Sequence, residues 1–168
     1  MRTIPLLLLI VVFSGCQAPQ QTFHTPDARW HTETGQLQYS NPKRSIIGET
    51  VVTALDHQEF QLDFMAGPGF PIMKLRRSSD MAHAESALAH VSWNGKTEHP
   101  PGKLKPWLAL ADVFWRLSDS NASQIQVILQ SSQAGFWKAT ANLKLGRPAD
   151  VTIEFPQSQE RFIFHLNQ

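Results

Sequence analysis

Seven histidines and fourteen carboxylates are the residues with which this chain could move protons or hold a metal. Two groupings stand out. His83 and Glu85 sit two apart, on one face of any strand, with His90 and His99 further along. Mixed imidazole and carboxylate ligands suit zinc, but the spacing matches no compact zinc motif. His57 stands near Glu59 and Asp63, a base with acidic neighbours, yet no nucleophile falls at a recognisable spacing. Neither a strand-turn-helix serine elbow nor a phosphate-cradling glycine loop is present. Solvated strand faces account for both groupings, so no catalysis, metal or cofactor is expected. Lys74, Arg76 and Arg77, joined by Lys96, Lys103 and Lys105, read either as a basic rim for anionic lipid headgroups or as an ordinary polar surface.

The most specific chemistry belongs to Cys16, the only cysteine. Arg2 and the apolar run Ile4 to Phe13 precede it, a charged and then a hydrophobic region as in a secretory signal, and ten residues are too few to span a bilayer as a helix. Ser14-Gly15-Cys16 resembles a bacterial lipobox, with Phe13 at the place usually held by Leu or Val. That resemblance implies removal of residues 1–15, acylation of Cys16, and anchoring by two or three acyl chains where a single chain holds only marginally. Gln17, in place of an Asp, favours the periplasmic face of the outer membrane by the same analogy. The other readings are a soluble periplasmic or secreted protein with one free thiol, or a retained anchor.

Fifteen Lys and Arg face fourteen Asp and Glu, and Arg2 leaves with the signal, so the remainder is formally neutral. A nucleic-acid binder would show a basic excess. With Cys16 lipidated, no disulfide or thiolate metal site is available, and a monomeric domain must rest on its core. Five Trp and ten Phe against one Tyr make that core unusually apolar.

Residues 16–29 read as the lipidated N-terminus and a polar tether, and 30–168 as a single domain starting with Trp30. Period-two patterns predict strands over Gln36–Tyr39, Ile46–Leu55, Glu59–Phe64, Phe70–Arg77, Met81–Ala87, Leu88–Trp93, Phe136–Leu145, Val151–Phe155 and Arg161–Leu166, while Gln124–Gln130 fits a strand or a helical turn, the alternation favouring a strand. Phe60, Leu62 and Phe64 alternating with Glu59, Gln61 and Asp63 form the clearest half-buried strand. Asp56-His57, Gly67-Pro68-Gly69, Asn94-Gly95 and Pro156-Gln157-Ser158 supply turns. After His99-Pro100-Pro101-Gly102 the period changes. Leu104, Trp107, Leu108, Ala111, Phe114 and Trp115 recur at helical spacing, predicting a helix over Pro106–Leu117 that is apolar nearly all round.

The expected fold is mainly β with one covering helix (α+β): a strongly curved antiparallel sheet, an unclosed half-barrel around an apolar helix. Phe60, Leu62, Phe64, Met73, Leu75, Trp107, Leu108, Trp115, Trp137 and Leu143 would face its interior. A packed core and a lipid-binding cavity call for the same residue types, so both remain open.

From Gly35 to Leu166 the layout resembles the outer-membrane lipoprotein receptor LolB and its periplasmic relative LolA. The points of likeness are the strands around Gly67-Pro68-Gly69, the aromatic helix Leu104 to Leu117, and the ending Gly135-Phe136-Trp137-Lys138, Gly146-Arg147-Pro148, Val151-Thr152-Ile153 and Phe162-Ile163-Phe164. The resemblance implies an open β-barrel whose apolar cavity takes the acyl chains of lipoproteins. It also implies that the Pro68-Gly69-Phe70 turn inserts into the membrane, although no residue stands between Pro68 and Gly69 where that family has one and Phe70 would have to serve. The expected function is non-catalytic binding of a lipid or acylated lipoprotein at the outer membrane. The alternative is an envelope scaffold with a solid core.

Overall fold

The computed structural model describes residues 23–167 except 68, 89, 119–123, 128–129, 132–134 and 145–146. Cys16 and Pro68 therefore lie outside the described residues. Six strands come first: β1 (His31–Asn41), β2 (Arg44–Leu55), β3 (Glu59–Ala66), β4 (Phe70–Ser78), β5 (Met81–Ser86) and β6 (Val91–Lys96). A 3-10 turn, Gly102–Leu104, leads into the helix α1 (Lys105–Ser118). Strands β7 (Gln124–Val127), β8 (Gln130–Ser131), β9 (Gly135–Phe136), β10 (Lys138–Lys144), β11 (Arg147–Phe155) and β12 (Glu160–Leu166) follow.

Ten strands form one sheet in the order β6-β5-β4-β3-β2-β1-β12-β11-β10-β7, and β8 and β9 pair separately. Every pairing in the large sheet is antiparallel. Two meanders thus flank α1 in sequence and are joined at the centre by β1 and β12, Leu37 opposite Phe164. At that seam Gly35 lies against the His165 carbonyl, where a Cβ would clash with backbone.

Local chemistry explains most boundaries. The Asn41 side chain accepts from the backbone N–H groups of Lys43 (2.9 Å) and Arg44 (3.0 Å), closing the β1–β2 turn. Asp56 and His57 take positive φ between β2 and β3, and Gly67 and Gly69 do so between β3 and β4. Pro106 falls in the first turn of α1, where its missing N–H costs no helical bond.

Asn94-Gly95, expected as a turn, instead runs inside β6, with Gly95 paired to Ala82 and lying under the Trp93 ring. The reversal falls earlier, before His90 (φ 50°). β11 begins at Arg147, ahead of the expected start at Val151. A register shift at Asn142/Leu143 sets Pro148 opposite Leu143.

Helix α1 touches β1 through Trp107 and Tyr39, β3 through Phe114 and Phe60, and β12 through Phe114 and Phe164. It also contacts β4 and β11. From β4 to β11 the sheet is six strands wide, about 24 Å at the usual strand spacing. A helix with its side chains is only about 10–12 Å across. One helix reaches all of these strands only because the sheet curves around it.

Candidate functional site

The interior is built by alternation. On β3, Phe60, Leu62 and Phe64 turn inward and are fully buried. On β4, Met73 and Leu75 do the same. Helix α1 contributes Trp107, Leu108 and Trp115, and Trp137 and Leu143 close the side nearest β10. All ten side chains expected in the interior lie in one buried apolar cluster.

Their arrangement is a packed one. Trp107 meets Phe162 edge-on at 4.8 Å and Tyr39 at 5.0 Å, and Phe114 stands between Phe60 (5.7 Å) and Phe164 (5.1 Å). These rings touch, with α1 occupying the trough of the sheet. The indole N–H groups of Trp115 and Trp137 are buried without a hydrogen-bond partner among the described residues.

Charge meets this interior at Arg77 and, over the Trp137 ring at 6.0 Å, at Arg116. Arg77, placed on the basic rim by the sequence, points inward from β4. Its guanidinium donates to the Leu108 carbonyl (2.5 Å) and pairs with Asp112 (2.8 Å), and it lies 5.2 Å from the Trp115 ring centroid. It ties the middle of α1 to the sheet. Lys74 and Arg76 alternate away from the interior, opposite Asp63 and Gln61, and Lys96 ends β6. Only Lys103 and Lys105 of that set lie at the start of α1.

Other contacts also engage the residues weighed for acid–base or metal chemistry. The His57 ring lies 6.0 Å from Trp115, Asp63 is exposed, and Glu59 is engaged by the N-terminal segment. The His24 backbone N–H donates to Glu59 (3.1 Å), the His24 ring pairs with the same carboxylate, and Gln61 donates to the His24 carbonyl (3.1 Å). Glu59 and Gln61 are consequently buried on the outward side of β3. This docking begins well before Trp30, and no local pattern announces it. His83 pairs with Glu85 at 3.3 Å on an exposed face. Among the described residues no three His, Cys, Asp or Glu side chains are grouped to hold a metal.

A cleft lies at each end of α1. One, of about 530 Å³, lies at the N-terminal end between the β1–β2 turn, the β5–β6 connection and the β11–β12 turn. Tyr39 and Trp107 form its floor. The Tyr39 hydroxyl donates to Glu160 (2.7 Å) and accepts from Asn41 (2.9 Å). Burial, reinforced by that carboxylate, pushes the Tyr39 phenol up to about 12. The other cleft, of about 290 Å³, is lined by Val52, Ala54 and Phe114, with Glu33 and Arg147 at its edge. There burial raises the Glu33 carboxyl against the opposing pull of Arg147.

No protein-family model matches the chain, and no curated protein matches it by sequence. Among solved structures it is similar to a LolA superfamily protein from Nitrosomonas europaea. The two are 9% identical, with a TM-score of 0.43 over 82% of this chain and 83% of that one. The functional reading rests on this chain's own residues. Among them, the turn expected to meet a membrane carries Phe70, 61% exposed at the start of β4. Ile47, also 61% exposed, lies on β2, two residues beyond the Glu49–Met65 pair and so toward that same turn. No helix of the described residues is long and apolar enough to cross a membrane.

Proposed function

We propose that this chain is an envelope lipoprotein of the LolA and LolB kind, anchored through Cys16 at the periplasmic face of the outer membrane. In this reading it binds a lipid, or the acylated end of another lipoprotein, between its half-barrel sheet and α1, without catalysing a reaction. The observation that carries the reading is the seating of α1. An apolar helix packs its rings against an open antiparallel sheet and is joined to it by a polar tie through Arg77. Apolar chains could replace its contacts with Phe60, Phe64 and Phe162 at little cost, because one greasy surface is exchanged for another. Phe70 and Ile47 would touch the bilayer as cargo is delivered.

The test is saturable binding of a fluorescent lipopeptide to the full chain, with displacement by unlabelled lipopeptide. Absence of saturable binding, together with no lipid copurifying from membranes, would overturn the proposal.

The closely packed rings favour a second reading, an envelope scaffold with a solid core. A scaffold predicts that hydrogen exchange at α1 is unchanged by lipopeptide. A carrier predicts faster exchange there, because the helix must yield.

A further inference from the structure

The cleft at the N-terminal end of α1 differs in character from the interior beneath it. Its floor is apolar, with the Tyr39 and Trp107 rings 5.0 Å apart and Leu88 on one wall. Its rim carries three cations, Lys43, Arg44 and Lys103, against one carboxylate, Glu160, and that carboxylate already accepts a hydrogen bond from Tyr39. The cations arrive from two separate elements, the β1–β2 turn and the 3-10 turn ahead of α1. All three are exposed.

Arg44 also fixes the opening. It donates to the Leu88 carbonyl at 2.7 Å, using one of the guanidinium's five N–H donors to hold the β5–β6 connection against the β1–β2 turn. The walls are therefore set before a ligand arrives. A volume of about 530 Å³ lies within the range of small-molecule sites. An apolar floor beneath a cationic rim matches one chemical form, an alkyl chain ending in an anion. The floor takes the first methylenes while the rim receives the charged head.

We infer that this cleft is a headgroup site for an anionic single-chain amphiphile, with Lys43, Arg44 and Lys103 receiving the anion and Trp107 and Leu88 the adjoining methylenes. The inference rests on the reading that the protein takes acylated ligands, and it adds a charge preference to it. It also gives a reason for the 3-10 turn and the start of α1 to lie at this opening: a chain held by its head here is aimed along the helix into the trough.

Photolabelling tests this on the full lipidated chain in phosphatidylcholine vesicles. Two probes carry the same diazirine-bearing twelve-carbon chain, one ending in phosphate and the other in phosphocholine. Labelled peptides are mapped by mass spectrometry. The phosphate probe should label the segments containing Leu88 and Trp107 at least roughly fivefold more than the phosphocholine probe, a ratio worth about 1 kcal/mol. The double variant Lys43→Glu/Lys103→Glu should remove that preference. Lys43→Gln/Lys103→Gln should reduce it partway, and circular dichroism should show both variants folded.

Equal labelling by the two probes, or a preference untouched by either variant, overturns the headgroup site while leaving acyl binding standing. Labelling confined to the interior does the same. Protection by inorganic phosphate as effective as that by unlabelled dodecyl phosphate would mark a plain phosphate site and overturn the amphiphile. No labelling by either probe would sink the acyl-binding reading as well.

Discussion

Replacing Asp112 by Asn isolates the polar tie that holds α1 in the sheet. Arg77 and Asp112 have side chains 14% and 27% exposed, with 2.8 Å between nitrogen and oxygen. The pair sits between the exposed case, worth up to about 1 kcal/mol, and the fully buried case, in which removing one partner costs about 3–5 kcal/mol. Asp112→Asn leaves the guanidinium its bond to the Leu108 carbonyl and its place over Trp115 but removes the compensating charge, so a loss of about 2 kcal/mol is expected. Arg77→Met deletes the charge and both contacts while Asp112 regains water, again costing about 2 kcal/mol. The double variant Arg77→Met/Asp112→Leu strands no charge and fills the space with apolar atoms, so it should lose only about 1 kcal/mol. Urea unfolding reads all three, and each single variant should lower Tm by roughly 4–8 °C in a domain of this size. If the double variant lost the sum of the two single costs, or if Asp112→Asn cost under about 0.5 kcal/mol, Arg77 and Asp112 would not be acting as a coupled pair.

Three further perturbations have definite outcomes. Tyr39 is the only tyrosine, so phenolate absorbance reports it alone: ionisation should come near pH 12 in the folded protein, against about 10 once urea unfolds it. Because the folded state holds that proton more tightly, the contribution is fully present below pH 10 and should decline as pH rises from 10 to 12. Gly48→Ala would drive a methyl into the Met65 carbonyl oxygen and the Phe64 ring, costing about 2–3 kcal/mol by chemical denaturation; a change under 0.5 kcal/mol would show that β2 and β3 can part without strain. Phe70→Ser, at a side chain 61% exposed, should leave stability within about 0.5 kcal/mol while slowing transfer of lipopeptide to vesicles, and unaltered transfer would remove Phe70 from the delivery step.

The parts of this fold that were legible are those in which one residue's environment is set by its near neighbours. The alternation of Phe60, Leu62 and Phe64 marks β3 because side chains on a strand alternate between faces, and Trp107, Phe114 and Trp115 mark α1 because a helix wide enough to fill a sheet must be apolar on several sides. Distance along the chain hid the rest. The pairing of β1 with β12 joins segments more than a hundred residues apart and leaves no local trace. Glu59 and Gln61 looked like solvated polar residues of β3 because nothing in their own strand shows that His24 covers them.

Arg77 could have been assigned better from sequence. Adjacent residues on a strand face opposite ways, so Arg76 and Arg77 cannot both join one outer rim. Asn94-Gly95 misled because its turn preference was outweighed by cross-strand pairing with His83 and Ala82. The clefts at the ends of α1 are made by turns from distant parts of the chain, and Lys43, Arg44 and Lys103 become neighbours only once the barrel has curved.

The grip of β3 on His24 also has a mechanical consequence. Phe23 shares a surface pocket with Asp63 and Lys74, while His24 is bound at Glu59, so going back toward the N-terminus the chain heads along β3 toward the Phe70 turn. Seven residue steps separate Phe23 from Cys16, a reach of at most about 25 Å. With Cys16 fixed in a membrane, a pull on the domain would first strip His24 from Glu59 and Gln61 and then load the strand that follows in the chain, β1, which is flanked by β2 and β12. Both ladders would then bear the load in shear, all their hydrogen bonds at once, whereas a pull on edge strand β6 would peel its bonds one by one. Forced unfolding from residue 16 should accordingly need a higher force than pulling β6 away sideways, and the anchor would hold a domain that stays folded while it is tugged.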